Sequence, residues 1–169
     1  MRVRKLLTER FQDYKVPCMY LAACFCDWKC CPDRPYICQN NPVAKLPIQD
    51  IPDDEILDAY LADPITSAIV IAGLEPLLQV REVVSLIRRA VERGIATTFV
   101  IYTGYTAAEA KVIGFFDELS ATGFGNGVEV IMKYGRYIPD QKPHFDDVLG
   151  VELASDNQYG EVVINGKTK

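Results

Sequence analysis

Ser67-Ala68-Ile69-Val70-Ile71-Ala72-Gly73-Leu74-Glu75-Pro76 decides the fold class of this chain. Six uncharged residues, half of them β-branched, run without a polar alternation and stop at a glycine and a Glu-Pro turn. A short continuous apolar run of this kind suits a strand covered on both faces, as in a parallel sheet. Downstream, Val80, Val83, Val84, Ile87 and Val91 recur at helical spacing, which predicts a helix from about Leu78 to Arg93. Arg88, Arg89 and Arg93 sit near its C-terminus, where cations are favoured, and Gly94 can close it. Upstream, Pro52 and an acidic first turn open a helix over about Asp53 to Ala62, and Pro64 follows its end. A first buried strand is expected from Val16 to Ala23.

The alternation continues toward the C-terminus. Thr97 to Tyr102 reads as a third strand, and Thr106-Ala107-Ala108-Glu109 has the spacing of a capping box. The helix it opens is expected to reach about Ala121. Gly123, Gly125 and Gly127 make a loop before a fourth strand, Val128 to Met132. The remainder, 133–169, reads as irregular apart from a terminal strand at Glu161 to Ile164. Strand and helix in alternation specify an α/β fold with a parallel sheet, here read as one domain over 1–169. Ligands of such sheets sit at the carboxyl ends of the strands.

Composition narrows the function classes. The 169 residues are 49% hydrophobic and 10% aromatic, enough for a core in one domain. The net charge of −5 argues against a nucleic-acid partner, because an acidic chain repels phosphate backbones. The apolar runs are too short to span a bilayer, so no membrane association is expected. No apolar segment closely follows the basic start Met1-Arg2-Val3-Arg4-Lys5, so a secretory signal is not expected and a cytoplasmic location is.

Six cysteines, Cys18, Cys24, Cys26, Cys30, Cys31 and Cys38, fall within 21 consecutive positions. A disulfide framework would staple distant parts of a small secreted domain. A cluster this dense, in a chain with its own apolar core, fits thiolates holding a soft metal centre. The loop 24–41 carries most of them, and Pro32, Pro35 and Pro42 keep it from being helical. An iron–sulfur cluster uses thiolates close together on an irregular loop, and three of them on a four-iron cluster leave one iron open. A zinc site is the alternative, although the spacings do not form paired C-x2-C knuckles; buried or redox-active thiols are the third reading. Trp28, inside the loop, reads equally as a shield against water and oxygen or as a packing residue. His144, the single histidine, is expected to be exposed or structural.

Three segments together resemble the radical S-adenosylmethionine (SAM) superfamily. Cys26-Asp27-Trp28-Lys29-Cys30 matches the first half of its C-x3-C-x2-C signature, and Ile37-Cys38-Gln39-Asn40 is similar to the signature's ending. Seven residues separate Cys30 from Cys38 where the family has two, which leaves Cys31 and Cys24 as substitutes for the third ligand. Ile69 to Gln79 resembles the strand and Gly-Gly-Glu-Pro turn of the family, with Leu74 in place of the second glycine. Phe99-Val100-Ile101-Tyr102-Thr103-Gly104-Tyr105-Thr106 is similar to a segment of the proteins that activate anaerobic (class III) ribonucleotide reductase. So are Val130 to Ile138 and, later, Gly150 with Ser155-Asp156-Asn157-Gln158. The echoes run in order from Pro17 to Gln158.

The resemblance implies a 4Fe-4S cluster on Cys26, Cys30 and Cys38, with SAM bound by Gly73, Glu75, Pro76, Thr103 and Trp28. No side chain is implied as catalytic, since cluster and SAM carry the chemistry. It implies reductive cleavage of SAM to a 5′-deoxyadenosyl radical and formation of a glycyl radical on a large partner, the anaerobic reductase. An external electron donor such as flavodoxin or ferredoxin is implied as well. A peptide substrate brought by a partner needs one open side, so the fold expected by analogy is a partial, open (βα) barrel of mostly parallel strands, with the cysteine-rich loop after the first strand. The alternatives are a radical SAM protein acting on another peptide or small molecule, or a non-catalytic zinc or iron–sulfur binding module.

Overall fold

A computed structural model of the chain describes residues 1–30, 38–125, 127–164 and 167–168. Its strands are β1 (Arg2–Val3), β2 (Lys5–Arg10), β3 (Cys18–Ala23), β4 (Gln49–Asp50), β5 (Ala68–Gly73), β6 (Thr97–Tyr102), β7 (Val128–Tyr134), β8 (His144–Asp146), β9 (Val151–Leu153), β10 (Tyr159–Ile164) and β11 (Lys167–Thr168). The helices are α1 (Asn41–Ala44), α2 (Asp53–Ala62), α3 (Val80–Glu92), α4 (Ala107–Val112) and α5 (Phe115–Ser120). Among the described residues no helix is long and apolar enough to cross a membrane.

The central sheet has the order β11-β10-β7-β6-β5-β3-β2. Its inner strands β3, β5, β6 and β7 run parallel, while β2, β10 and β11 pair antiparallel at the two sides. The sheet is open, and β1–β4 and β8–β9 form two small antiparallel pairs beside it. All six residues of β5 are buried, as its uninterrupted apolar sequence requires of a central strand.

The sheet separates two cores. On one face Met19, Leu21, Ile69, Ile71, Phe99 and Ile101 pack against α2, α3 and α5 through Ile56, Leu57, Val83, Leu86, Ile87 and Leu119. On the other, Cys18, Ala68, Val70, Val100 and Ile131 lie under Tyr14, Leu149 and Leu153. This second cover is not helical. It is the segment before β3 together with the β8–β9 strap, joined by the Lys15 amide donating to the Leu149 carbonyl at 2.8 Å.

Several boundaries differ from the sequence reading. The first strand of the sheet is β2, preceded by β1, where the reading began at Val16. The helix expected from Leu78 starts at Val80, after a 3-10 turn at Pro76–Gln79. The single helix expected to Ala121 is two, broken at Gly114. β7 continues to Tyr134, and the stretch read as irregular contains β8, β9 and a longer β10.

Candidate metal and cofactor site

The carboxyl ends of the four parallel strands point the same way, and the loops leaving them meet there. The cysteine loop follows β3, the Glu-Pro turn follows β5, Thr103-Gly104-Tyr105 follows β6 and Gly135-Arg136 follows β7. They surround a cavity of about 680 Å³, within the range of roughly 300–1,000 Å³ usual for cofactor sites. Cys26, Cys30 and Cys38 all line it, as do Gly73, Glu75 and Thr103. Six positions singled out from three separate segments are thus brought around one space. Pro76 is buried at the start of the 3-10 turn and does not line the cavity. Trp28 does not line it either. It is half-buried at a left-handed φ of 57°, and its N–H donates to the Cys26 Sγ at 3.3 Å. A bulky residue in that backbone region is held there by its surroundings. Cys31 lies outside the described residues. His144 is half-buried in β8.

The turn after β5 depends on close backbone approach. Gly73 has φ 87°, and a Cβ there would lie 2.9 Å from the Cα of Ala22 on β3, so a side chain could enter only by pushing two strands apart. The next residues anchor the cysteine loop. The Glu75 N–H donates to the Phe25 carbonyl at 2.6 Å, and the Cys24 N–H donates to the Gln79 Oε1 at 2.7 Å.

The Glu75 carboxylate is 4% exposed. Its Oε1 accepts from the Leu77 N–H at 3.0 Å and the Thr103 hydroxyl at 2.7 Å, and its Oε2 accepts from the Gly104 N–H at 2.8 Å. Burial pushes its pKa up, and these donors pull against that shift. A carboxylate has about four acceptor positions, so Oε2 retains capacity for a further donor.

Burial also pushes the Cys26 thiol up to about 11 and the Cys18 thiol up to about 12. Cys18 is fully buried against β2, with its Sγ directed at the Arg10 carbonyl, and plays a packing role. Among the described residues no three Cys, His, Asp or Glu side chains gather as around one metal ion. The three thiols line one cavity with a carboxylate and a glycine turn on its wall, and a cubane takes each thiolate on a separate iron.

Other residues of the cavity wall went unread in the sequence. Lys133, 7% exposed at the end of β7, donates from Nζ to the Gly135 carbonyl at 3.0 Å. Burial pushes its pKa down to about 8. A lysine following Val130-Ile131-Met132 at the carboxyl end of a parallel strand was the available signal. Arg10 and Asp13 also line it, joined by an ion pair at 2.9 Å; Arg10 ends a strand the hydrophobic pattern did not reveal, and Asp13 lies in the bend that follows. The two late motifs meet at the cavity wall: Gln158 Nε2 donates to the Gly135 carbonyl at 3.1 Å and Asn157 Nδ2 to the Arg136 carbonyl at 2.9 Å.

Compared with known families, residues 18–133 match the model described as a 4Fe-4S single cluster domain. The match covers more than half of the chain and contains Cys26, Cys30 and Cys38. No curated protein and no solved structure matches the chain.

Proposed function

The chain belongs to the 4Fe-4S single cluster domain family, and from that premise we propose that it is a radical SAM activating enzyme of the anaerobic ribonucleotide reductase type. The observation that carries this reading is that Cys26, Cys30 and Cys38 line the same cavity as Gly73 and Glu75. A module that only stored a metal would have no use for the glycine turn and buried carboxylate beside its thiols.

Cys26, Cys30 and Cys38 would hold the cluster, and the Gly73–Glu75 turn would receive the amine of SAM. A 4Fe-4S cluster held there would supply the single electron for reductive cleavage of SAM, and with it the radical chemistry that activates a glycine of the partner reductase. The rest is positioning by the chain. Gly73 lets the turn close against β3 while lining the cavity, and Glu75 would offer the remaining acceptor position of Oε2 to a cation. Thr103 and Gly104 fix that carboxylate in place. The β8–β9 strap contributes Val151 and Leu153 to the wall and excludes water from the far side. A large glycyl radical partner and an electron donor such as flavodoxin or ferredoxin would meet this chain in a reducing cytoplasm.

Anaerobic reconstitution followed by iron and sulfide analysis tests this. About four of each per chain are expected for one cubane, and stoichiometric zinc with no iron would end the proposal. Cys38→Ala is expected to abolish 5′-deoxyadenosine formation from SAM, and Cys31→Ala to leave most of it. The reverse pattern would reassign the third ligand to Cys31.

A further inference from the structure

Asp27 lies inside the Cys26–Cys30 segment, and it is tied to the far side of the site by one side chain. The Tyr105 hydroxyl donates to its Oδ2 at 2.9 Å. The same carboxylate accepts from the Lys29 N–H at 3.1 Å and pairs with the Lys29 Nζ at 3.2 Å, so both its oxygens are used in shaping the loop between the two cysteines. Asp27 is only partly exposed, at 22% of its side chain.

Tyr105 is itself held on every side. It is 5% exposed and belongs to the helix-side core. Its N–H donates to the Thr103 hydroxyl at 3.0 Å, which in turn donates to Glu75. Its carbonyl accepts from the Gly135 N–H at 3.1 Å. The Arg136 guanidinium stands 4.9 Å from the centre of its ring and is fixed by Glu109, while Lys29 lies 5.4 Å from the same ring. Tyr105, in the loop after β6, is thus linked to Glu75 after β5 through Thr103 and to the loop after β7 through Gly135 and Arg136, and the one polar atom of its side chain is spent on the cysteine loop.

We infer that Tyr105 is a positioning residue for the cluster, pinning the Cys26–Cys30 segment through Asp27 so that the two thiols face the cavity. This rests on the cluster reading above. Packing alone does not require the hydroxyl, since phenylalanine would fill the same core position. Residues 24–30 belong to no strand or helix, so a hydrogen bond from a core residue to a charged acceptor is a strong tie for the segment between the two cysteines.

The test follows chelator-driven iron release from anaerobically reconstituted protein, for the unaltered chain, Tyr105→Phe, Asp27→Ala and the double variant. Tyr105→Phe is expected to release iron about tenfold faster, the effect of one hydrogen bond to a charged group. The double variant should be no faster than Asp27→Ala alone, because both changes break one contact. The electron paramagnetic resonance signal of the reduced cluster should also shift in Tyr105→Phe. Release at the unaltered rate with an unchanged signal, or effects of the two substitutions that multiply, would overturn the assignment. Asp27→Ala, placed in a loop, provides the comparison if Tyr105→Phe fails to fold. An unaltered chain that takes up no iron would overturn the cluster reading and this inference together, whereas iron uptake without any difference among the variants would remove this inference alone.

Discussion

Glu109 sits where two kinds of stabilisation overlap. Its N–H donates to the Thr106 hydroxyl at 3.2 Å, and its Oε2 accepts from the Thr106 N–H at 2.8 Å, completing the capping box of α4. Both carboxylate oxygens also accept from Arg136 at 3.0 Å. The hydrogen-bonded guanidinium, ahead of the Thr106 contacts, pulls the Glu109 pKa down to about 2. A carboxyl whose folded pKa lies below its unfolded value stabilises the fold fully above the ordinary Glu range, and that contribution disappears as pH falls toward 2. With 40% of the side chain exposed, water screens the pair, so no more than about 1 kcal/mol is at stake. A carbon-detected titration of the Glu109 carboxyl should give a midpoint below the usual value of about 4.3, and Arg136→Gln should bring it back toward that value; a midpoint indifferent to that substitution would contradict the pairing. The capping box was legible because Thr106 and Glu109 are three residues apart. Arg136 was not, since its place beside α4 is set by the pairing of β6 with β7. In the same way the Glu75 carboxylate stood out in its motif, but its donors Thr103 and Gly104 come from the loop after the neighbouring strand β6.

At the scale of elements, the break between α4 and α5 has a local cause and a distant purpose. Gly114 takes φ 83°, a left-handed turn that closes α4 and opens α5. Val112 is left 88% exposed before the break, while Phe115 and Leu119 are fully buried after it. A continuous helix could not serve both, because only the bend turns the second segment's apolar face into the core. Nothing lies within 4 Å of a Cβ placed on Gly114, so Gly114→Ala isolates the backbone effect. It should cost roughly 1–2 kcal/mol in urea denaturation, and a gain in stability would show instead that the two helices merge without loss. The capping box, which points to where α4 starts, says nothing of where it ends. β2 escaped reading for another reason: Lys5-Leu6-Leu7-Thr8-Glu9-Arg10 is half exposed and charged, as strands at the side of a sheet are. The inner strands, buried on both faces, left a pattern that could be read directly.

The whole molecule is a sheet covered differently on its two faces. Helices cover one face, and the other depends on a narrow strap whose centre is Leu149, fully buried between Tyr14 and the inner strands. Leu149→Ala is expected to destabilise the chain by about 2–5 kcal/mol, read as a lowered denaturant midpoint. A loss below about 1 kcal/mol would mean that the strap is not part of the cooperative unit. The short β8 and β9 gave no sequence signal because their burial depends on the strap docking on the sheet and not on any periodicity of their own. The cysteines declared the site, yet its enclosure is a property of the complete fold. Because the central sheet stays open, β2 forms one of its borders. There the ladder with β3 loses its register between Leu7 and Arg10, and Glu9 turns to a φ of 56°. A crooked, charged margin is a poor template for strand-by-strand addition of other copies, so on that side the open architecture is guarded against growth into fibrils.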